Sequence, residues 1–438
     1  MLVGILSACL CLKGKPQQPI PLSNMEEAAN YSMEFDGSAV LILHHDSLIF
    51  ENYHNGADSS MGSMIASATK GFWSIAAATM LQNGLISSYD EYVAQTITEW
   101  QDSSVHPGKT LIQVKHLLAL SSGLSQDVDQ IQGSDPEADN IYQYVVDSLD
   151  MTFVPGTNFQ YGPSSYYAFG VFLDRKLQNA GINQNPLEYL DSILFDPIGL
   201  QYEDWLHDAY GNPFIPTGCS VTPRNWIKFG QFLLQEGRWN EMQLLDSLLF
   251  RDLLIPGGPN PRHGKFLWLN NQGGQGAYPF QIAPPDSEGG FIYFDGFPDI
   301  FAAMGAAKNR MYIIPSLKLV VLRQALTENF SFQDHEFLSL LLHDISVRIE
   351  AQSSQSLGTS LYPNPTHSHL TLELNSNSNQ LLVELRDAKG RMIEEFLSST
   401  KGLNQITFDV SGLSSGVYFI QIKDDERTET RRFIKCER

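Results

Sequence analysis

The chain has 438 residues, 42 % hydrophobic and 18 % charged, so it carries ample core material and is neither disordered nor a coiled coil. With 28 Lys and Arg against 49 Asp and Glu, the formal charge is −21, which repels phosphate backbones and anionic lipid and argues against nucleic-acid binding. The charge is uneven: Gly358–Arg438 holds 10 basic and 11 acidic residues, a net of −1, so about −20 lies before it and two domains of different surface character are expected.

Met1 to Leu12 is almost wholly apolar, and Lys13 and Lys15 follow. Such a run is too short for the ~20 residues a bilayer crossing needs, and it fits the apolar core of a signal peptide. Residues 1–20 are therefore expected to be a leader. Leu6-Ser7-Ala8-Cys9 also fits a lipoprotein cleavage box, with Cys9 lipidated, as the alternative to plain cleavage after Ala8. The other cysteines, Cys11, Cys219 and Cys436, are scattered and suggest no disulfide framework.

Two strands are expected over Ser38–Leu43 and Ser47–Tyr53, with His44-His45-Asp46 as the turn. Phe72–Leu81 reads as an apolar helix ended by Asn83-Gly84, and Leu111–Leu120 as a second, stopped by Ser121-Ser122-Gly123. Ser164–Leu177 and Asn225–Glu236 have helical patterns as well. Four apolar runs, Lys265–Leu269, Ile300–Met304, Met311–Ile314 and Leu319–Leu322, read as strands, and Glu336–Glu350 as a closing helix. Strands at both ends and helices between imply an α+β body with one antiparallel sheet, over 21–350. Residues 351–360, rich in Ser and Gln, read as a linker. From 361 to 438, period-2 alternation such as Leu370, Leu372, Leu374 and Ile406, Phe408, Val410 implies a small all-β sandwich.

Ser67-Ala68-Thr69-Lys70 is a Ser-x-x-Lys box at the start of the first helix. Three residues is just under one turn, so hydroxyl and amine share a face. The helix N-terminus supplies free N–H groups and a positive field, and a desolvated Lys can take the hydroxyl proton. The plain alternative is an N-cap serine with a solvated lysine. The same spacing recurs at Ser398-Ser399-Thr400-Lys401, with no helix after it, so context separates the two. Gly412-Leu413-Ser414-Ser415-Gly416 fits the nucleophile-elbow pattern but leads into a strand, and is read as a turn. No His, Cys, Asp or Glu cluster has metal-ligand spacing. His44 and His45, adjacent at a strand end, are expected on opposite faces.

Several segments in order resemble the serine β-lactamase and penicillin-binding superfamily, and within it the class C β-lactamase-like proteins, family VIII esterases and 6-aminohexanoate-dimer hydrolase. They are Ser67–Lys70, Leu117–Leu124, Pro155-Gly156 leading to Tyr161, Val221–Asn225, and Gly305 through Met311–Pro315. The resemblance spans about Gly37 to Leu342 and implies a β-lactamase-like fold. It implies Ser67 as nucleophile, Lys70 as base and Tyr161 as proton relay, although Pro163 replaces the family's Asn in the Tyr-x-Asn box. The Lys-Thr-Gly box is missing. Gly305–Asn309 occupies its place, with Ser67 and Ala307 N–H groups expected as the oxyanion hole. Gly305, Lys308 and Trp268 are expected to touch substrate, Lys308 otherwise being an exposed strand-end residue. These departures favour an amidase or esterase over a true β-lactamase or D-Ala-D-Ala peptidase. A non-catalytic peptidoglycan or peptide sensor is the other reading. No cofactor is expected.

Tyr362-Pro363-Asn364-Pro365, Leu385 to Gly390-Arg391, Gly416–Phe419 and Phe433-Ile434-Lys435 resemble the type A sorting domain of the type IX secretion system. That resemblance implies engagement of the secretion machinery, passage through the periplasm, and release or display at the outer-membrane surface.

Overall fold

The computed structural model describes residues 20–102, 104, 107–126, 140–271, 292–293, 297–343, 345, 360–364, 366–376, 381–387, 391–398, 402–414, 416–423 and 428–435. The leader with Cys9 and Cys11, the expected linker up to 359, most of segment 125–140, Ser399–Lys401 and Cys436 lie outside these residues.

β1 (Gly37–His44) and β2 (Ser47–Tyr53) form a hairpin turned by His45 and Asp46. Both turn residues have positive φ, 46° and 63°, the arrangement that matches the twist of the strands. Alternation therefore stops before His45, and the two imidazoles do not diverge as expected: their ring centroids are 4.4 Å apart. No group of three or more His, Cys, Asp or Glu that could hold a metal occurs among the described residues.

The main sheet is completed by the far end of the body: β3 (Trp268–Leu269), β4 (Phe301–Gly305), β5 (Asn309–Ile314) and β6 (Leu319–Ala325). The strand order is β2-β1-β6-β5-β4-β3, all antiparallel. The pairs Leu41 with Leu322, Met311 with Leu322 and Met311 with Ala303 fix the register. Because side chains alternate, Met311 and Val320 face one side, while Arg310, Tyr312 and Arg323 face the other.

On the first side lie α2 (Lys70–Gln82) and α4 (Pro223–Leu234). Gly230 of α4 permits this close seat, since a Cβ there would come 2.5 Å from Val320 Cγ1. On the other side lie α1 (Leu22–Glu34), which the sequence pattern did not reveal, and α5 (Asp334–Leu342). Asn24 Nδ2 of α1 donates to the His343 carbonyl at 3.0 Å just past α5. The sheet is thus covered on both faces, and α3 (Ser164–Asn179) packs with the shorter helices of the middle segment.

Four boundaries differ from expectation. The second helix is a 3₁₀ turn at Lys109–Leu111 followed by only Val114–Leu118, because Leu120 adopts φ 55° and breaks the run. The strand expected over Lys265–Leu269 is reduced to Trp268–Leu269. The closing helix begins two residues early, at Asp334, and its regular part ends at Leu342. The first strand of the tail includes Ser360, which the pattern assigns to the linker.

The tail forms two sheets. One has β7 (Ser360–Tyr362), β8 (His369–Ser376) and β11 (Gly402–Asp409) in the order β7-β8-β11. The other has β9 (Leu381–Asp387), β10 (Met392–Ser398), β12 (Gly416–Lys423) and β13 (Thr428–Lys435) in the order β10-β9-β12-β13. Leu370, Leu372, Val383, Phe408, Ile420 and Phe433 belong to a core cluster separate from that of the body. The elbow-like Gly412–Gly416 leads directly into β12, as a turn would.

Candidate active site

The chain enters the Ser67 turn from Ser63 and Met64, which pair with the strand Cys219–Val221. The Ile65 N–H donates to the Cys219 carbonyl at 3.0 Å, and the Thr69 hydroxyl accepts from the Cys219 N–H at 3.4 Å. Pinned on both sides, residues 66–69 wind as a 3₁₀ turn that runs straight into α2, with Ala66 left-handed at φ 47°. The box at Ser67 therefore has its helix.

Ser67 is 9 % exposed and Lys70 5 %. Lys70 Nζ donates to Ser67 Oγ at 2.7 Å and to the Pro216 carbonyl at 3.0 Å. The rings of Tyr161 and Tyr166 flank the amine, with centroids 5.3 and 5.0 Å from Nζ. Two aromatic walls and a neutral carbonyl cannot hydrate an ammonium ion as water does, and burial pushes Lys70 down to about 7. The amine is thus within reach of its neutral, proton-accepting form near neutral pH.

Tyr161 precedes Gly162, where Gln126 packs so close that a Cβ would lie 2.0 Å from its Oε1. The same oxygen accepts from the Ser164 N–H at 3.1 Å, and Pro163 immediately precedes α3 as its N-cap. Proline suits a first-turn position that needs no N–H.

Trp268 of β3 stands 5.8 Å from the Tyr161 ring, centroid to centroid. His263, a residue that sequence reasoning missed, makes an edge contact with Trp268 at 5.1 Å. Its Nδ1 lies 2.9 Å from the Gly264 carbonyl, so that nitrogen carries the proton and Nε2 is the acceptor. Burial pushes His263 down to about 3, helped by the charge of Lys70. Pro216 and His263 had no local signal: each reaches the site from a loop remote in sequence.

The third side is β4. Gly305, at its end, is extended (φ −132°, ψ 169°). A Cβ there would lie 2.1 Å from the Ile65 carbonyl oxygen and 2.9 Å from the Ala68 nitrogen, so only glycine lets the strand end touch the Ser67 turn. The Gly305 carbonyl accepts from Arg310 Nη1 at 2.8 Å. In a trans peptide the following N–H, that of Ala306, points the opposite way.

Two expectations need correction here. The Ala307 N–H donates to the Glu328 carboxylate, and Ala307 is left-handed at φ 55°, so this amide is turned out of the strand and already engaged. Lys308 is not an exposed strand-end residue but 6 % exposed, and its charge acts on Asp334 beneath the other face of the sheet. The turn between β4 and β5 is tight and left-handed, which sequence spacing alone did not disclose.

Residues 23–202 match the β-lactamase family model, and residues 360–436 match the secretion system C-terminal sorting domain model. A structure described as a 6-aminohexanoate-dimer hydrolase from Bacillus anthracis is 19 % identical, with TM-score 0.56, covering 72 % of this chain and 80 % of its own. One described as a β-lactamase from Bacteroides dorei is 15 % identical, with TM-score 0.58, covering 74 % and 99 %. A family VIII carboxylesterase is 12 % identical, with TM-score 0.52, covering 74 % and 97 %. No curated protein matches the chain.

The body has a β-lactamase-like α+β fold, and the all-β tail carries the match to the secretion system C-terminal sorting domain. The tail directs the protein to the cell surface or beyond it.

Proposed function

We propose that the protein is an exported serine hydrolase that cleaves an amide or ester bond through an acyl-enzyme on Ser67. The observation that carries this reading is the 2.7 Å contact between Ser67 Oγ and a buried Lys70 amine. Lys70, oriented by its bond to the Pro216 carbonyl, takes the hydroxyl proton as Oγ attacks the substrate carbonyl. The carbonyl becomes a tetrahedral oxyanion, which accepts hydrogen bonds from the N–H groups of Ser67 and Ala306. Collapse breaks the bond to the leaving group, and the proton passes from Lys70 through Tyr161 to the departing nitrogen or oxygen. Water then attacks the ester at Ser67 by the same route and frees the acid. The chemistry uses no cofactor.

Trp268 and Gly305 border the substrate in this reading, and the substrate is a small-molecule or peptide-like amide or ester. The similar solved structures are described as an amide-dimer hydrolase and a carboxylesterase, among others, which supports this class over any one member. A fluorophosphonate probe tests it: the parent should be labelled and Ser67→Ala should not. Labelling that survives Ser67→Ala overturns the assignment.

The absence of the Lys-Thr-Gly box favours a second reading, a non-catalytic peptidoglycan or peptide sensor on the same fold. It predicts muropeptide binding with no turnover of p-nitrophenyl esters at any pH. Rapid cleavage of a chromogenic cephalosporin would instead point to a true β-lactamase.

A further inference from the structure

The mechanism above uses one face of the β4–β5 turn and leaves its other face unexplained. There, beneath the sheet, Arg310 is buried. Its Nη1 donates to the Gly305 carbonyl at 2.8 Å and to the Asn309 carbonyl at 3.1 Å. Its Nε donates to Asp334 Oδ1 at 2.6 Å, an oxygen that also accepts from the Tyr312 hydroxyl at 2.6 Å. Asp334 is 1 % exposed. Burial opposes its charge, but the Arg310 guanidinium and the Tyr312 hydroxyl outweigh that and hold the carboxyl below its usual range. Arg323 Nη1 donates to two more carbonyls of the turn, Ala307 at 3.1 Å and Lys308 at 2.8 Å, and the Ala306 carbonyl accepts from Asn309 Nδ2 at 2.8 Å.

Four carbonyls of one turn, those of Gly305, Ala307, Lys308 and Asn309, are therefore held by two buried cations. A turn with two left-handed non-glycine residues needs such fixing, because their relaxed conformations would rotate every amide in it. The Gly305 carbonyl matters most. It shares a peptide unit with the Ala306 N–H, so a charged donor on the oxygen also draws electron density from the nitrogen. That makes the N–H a stronger donor, the cooperative effect expected of linked hydrogen bonds at low dielectric.

We propose that Arg310, anchored by Asp334, is a positioning residue that orients and polarises the Gly305–Ala306 peptide toward an oxyanion forming at Ser67. The inference rests on the serine hydrolase reading and adds to it. The chain of contacts is Asp334, Arg310, the Gly305 carbonyl, the Ala306 N–H, then the oxyanion. Only the last link exists solely in the transition state, so the effect belongs to the chemical step rather than to substrate binding.

The test is the burst of p-nitrophenolate from p-nitrophenyl acetate with the full chain, alongside affinity for phenylboronic acid, which forms a tetrahedral adduct on a reactive serine. The variant R310Q/D334N removes both charges together and so strands neither one. It should keep the parent's circular dichroism. Its acylation rate should fall about tenfold, less than the ~10²–10³-fold loss from deleting an oxyanion donor outright. Boronate affinity should fall by a similar factor while KM for the ester stays near the parent value. R310K keeps the charge facing Asp334 but offers one ammonium where the fork served three acceptors. It should lose activity a fewfold with unchanged KM, and it decides the question if the double variant does not fold. Parent-like acylation in the folded variants, or loss of acylation without loss of boronate affinity, overturns the proposal. A parent with no burst dependent on Ser67 overturns the hydrolase reading and this one together, whereas a parent burst with unaffected variants overturns this one alone.

Discussion

At Lys70 the cost of burial and the gain in reactivity are the same quantity. An amine that titrates near 7 in the fold and ~10.4 in the unfolded chain binds fewer protons when folded. The sign follows: between about pH 7 and pH 10 the unfolded state takes up the extra proton, so stability from this group rises with pH across that window. Two pH units correspond to roughly 2–3 kcal/mol at most. Lys70→Met should therefore gain stability relative to the parent at pH 7 and lose more than half of that advantage by pH 9, as read from thermal midpoints of both proteins at both values. The same variant should be inactive, and the acylation limb of the parent should rise with pH around an apparent pKa of about 7. A parent profile flat from pH 6 to pH 9 would contradict the neutral-amine base.

Among the elements, the end of β4 is the part that tolerates least change. Gly305→Ala sets a methyl against the Ile65 carbonyl and the Ala68 amide, two backbone groups that cannot swing away as a side chain could. Either the Ser67 turn or the β4 end must move. A loss of about 1–3 kcal/mol and at least ~10² in acylation rate is expected, seen in the thermal midpoint and the ester burst. Gly412→Ala is the matched control: nothing lies within 4 Å of a Cβ there, and both measurements should stay at parent values. On the opposite wall, His263 is held neutral by burial and touches Trp268 edge-on. Trp268→Ala removes a wall shared by Tyr161 and His263 and should raise KM severalfold for an aryl ester, with a smaller effect on kcat.

For the whole molecule, the two separate hydrophobic cores matter more than total size. Each buries its own apolar side chains, so each can melt without exposing the other's interior. We propose that the boundary falls at 351–360, where large apolar residues are scarce. A chain ending at 350 should keep the parent's ester burst and should lose the lower or upper of two calorimetric transitions. A single cooperative transition in the full chain would show that the cores are coupled. The acidic charge, about −20 before residue 358, stays with the truncated body, which should remain soluble.

What the sequence determined was whatever depends on neighbours along the chain. The Ser67–Lys70 pair was legible because three residues of helix place two side chains on one face, whatever surrounds them. The tail was legible because alternation of period two reports a half-buried strand at once. The hairpin of β1 and β2 and the strands near the end of the body followed from the same local rules. What only the tertiary structure decided was what lies against those local pieces. The Pro216 carbonyl, Tyr161 and His263 come from loops and Tyr166 from the first turn of α3, all remote from Lys70 in sequence, and the carbonyl and the two rings replace the water that would keep Lys70 charged. The engagement of the Ala307 N–H by Glu328 depends on a left-handed turn whose carbonyls are held by Arg310 and Arg323, and Lys308 is buried in that turn rather than exposed at a strand end. Such facts are set by contacts between separate elements, Lys70 with Pro216 across 146 positions and Arg310 with Asp334 across 24, and no spacing along a single segment encodes them.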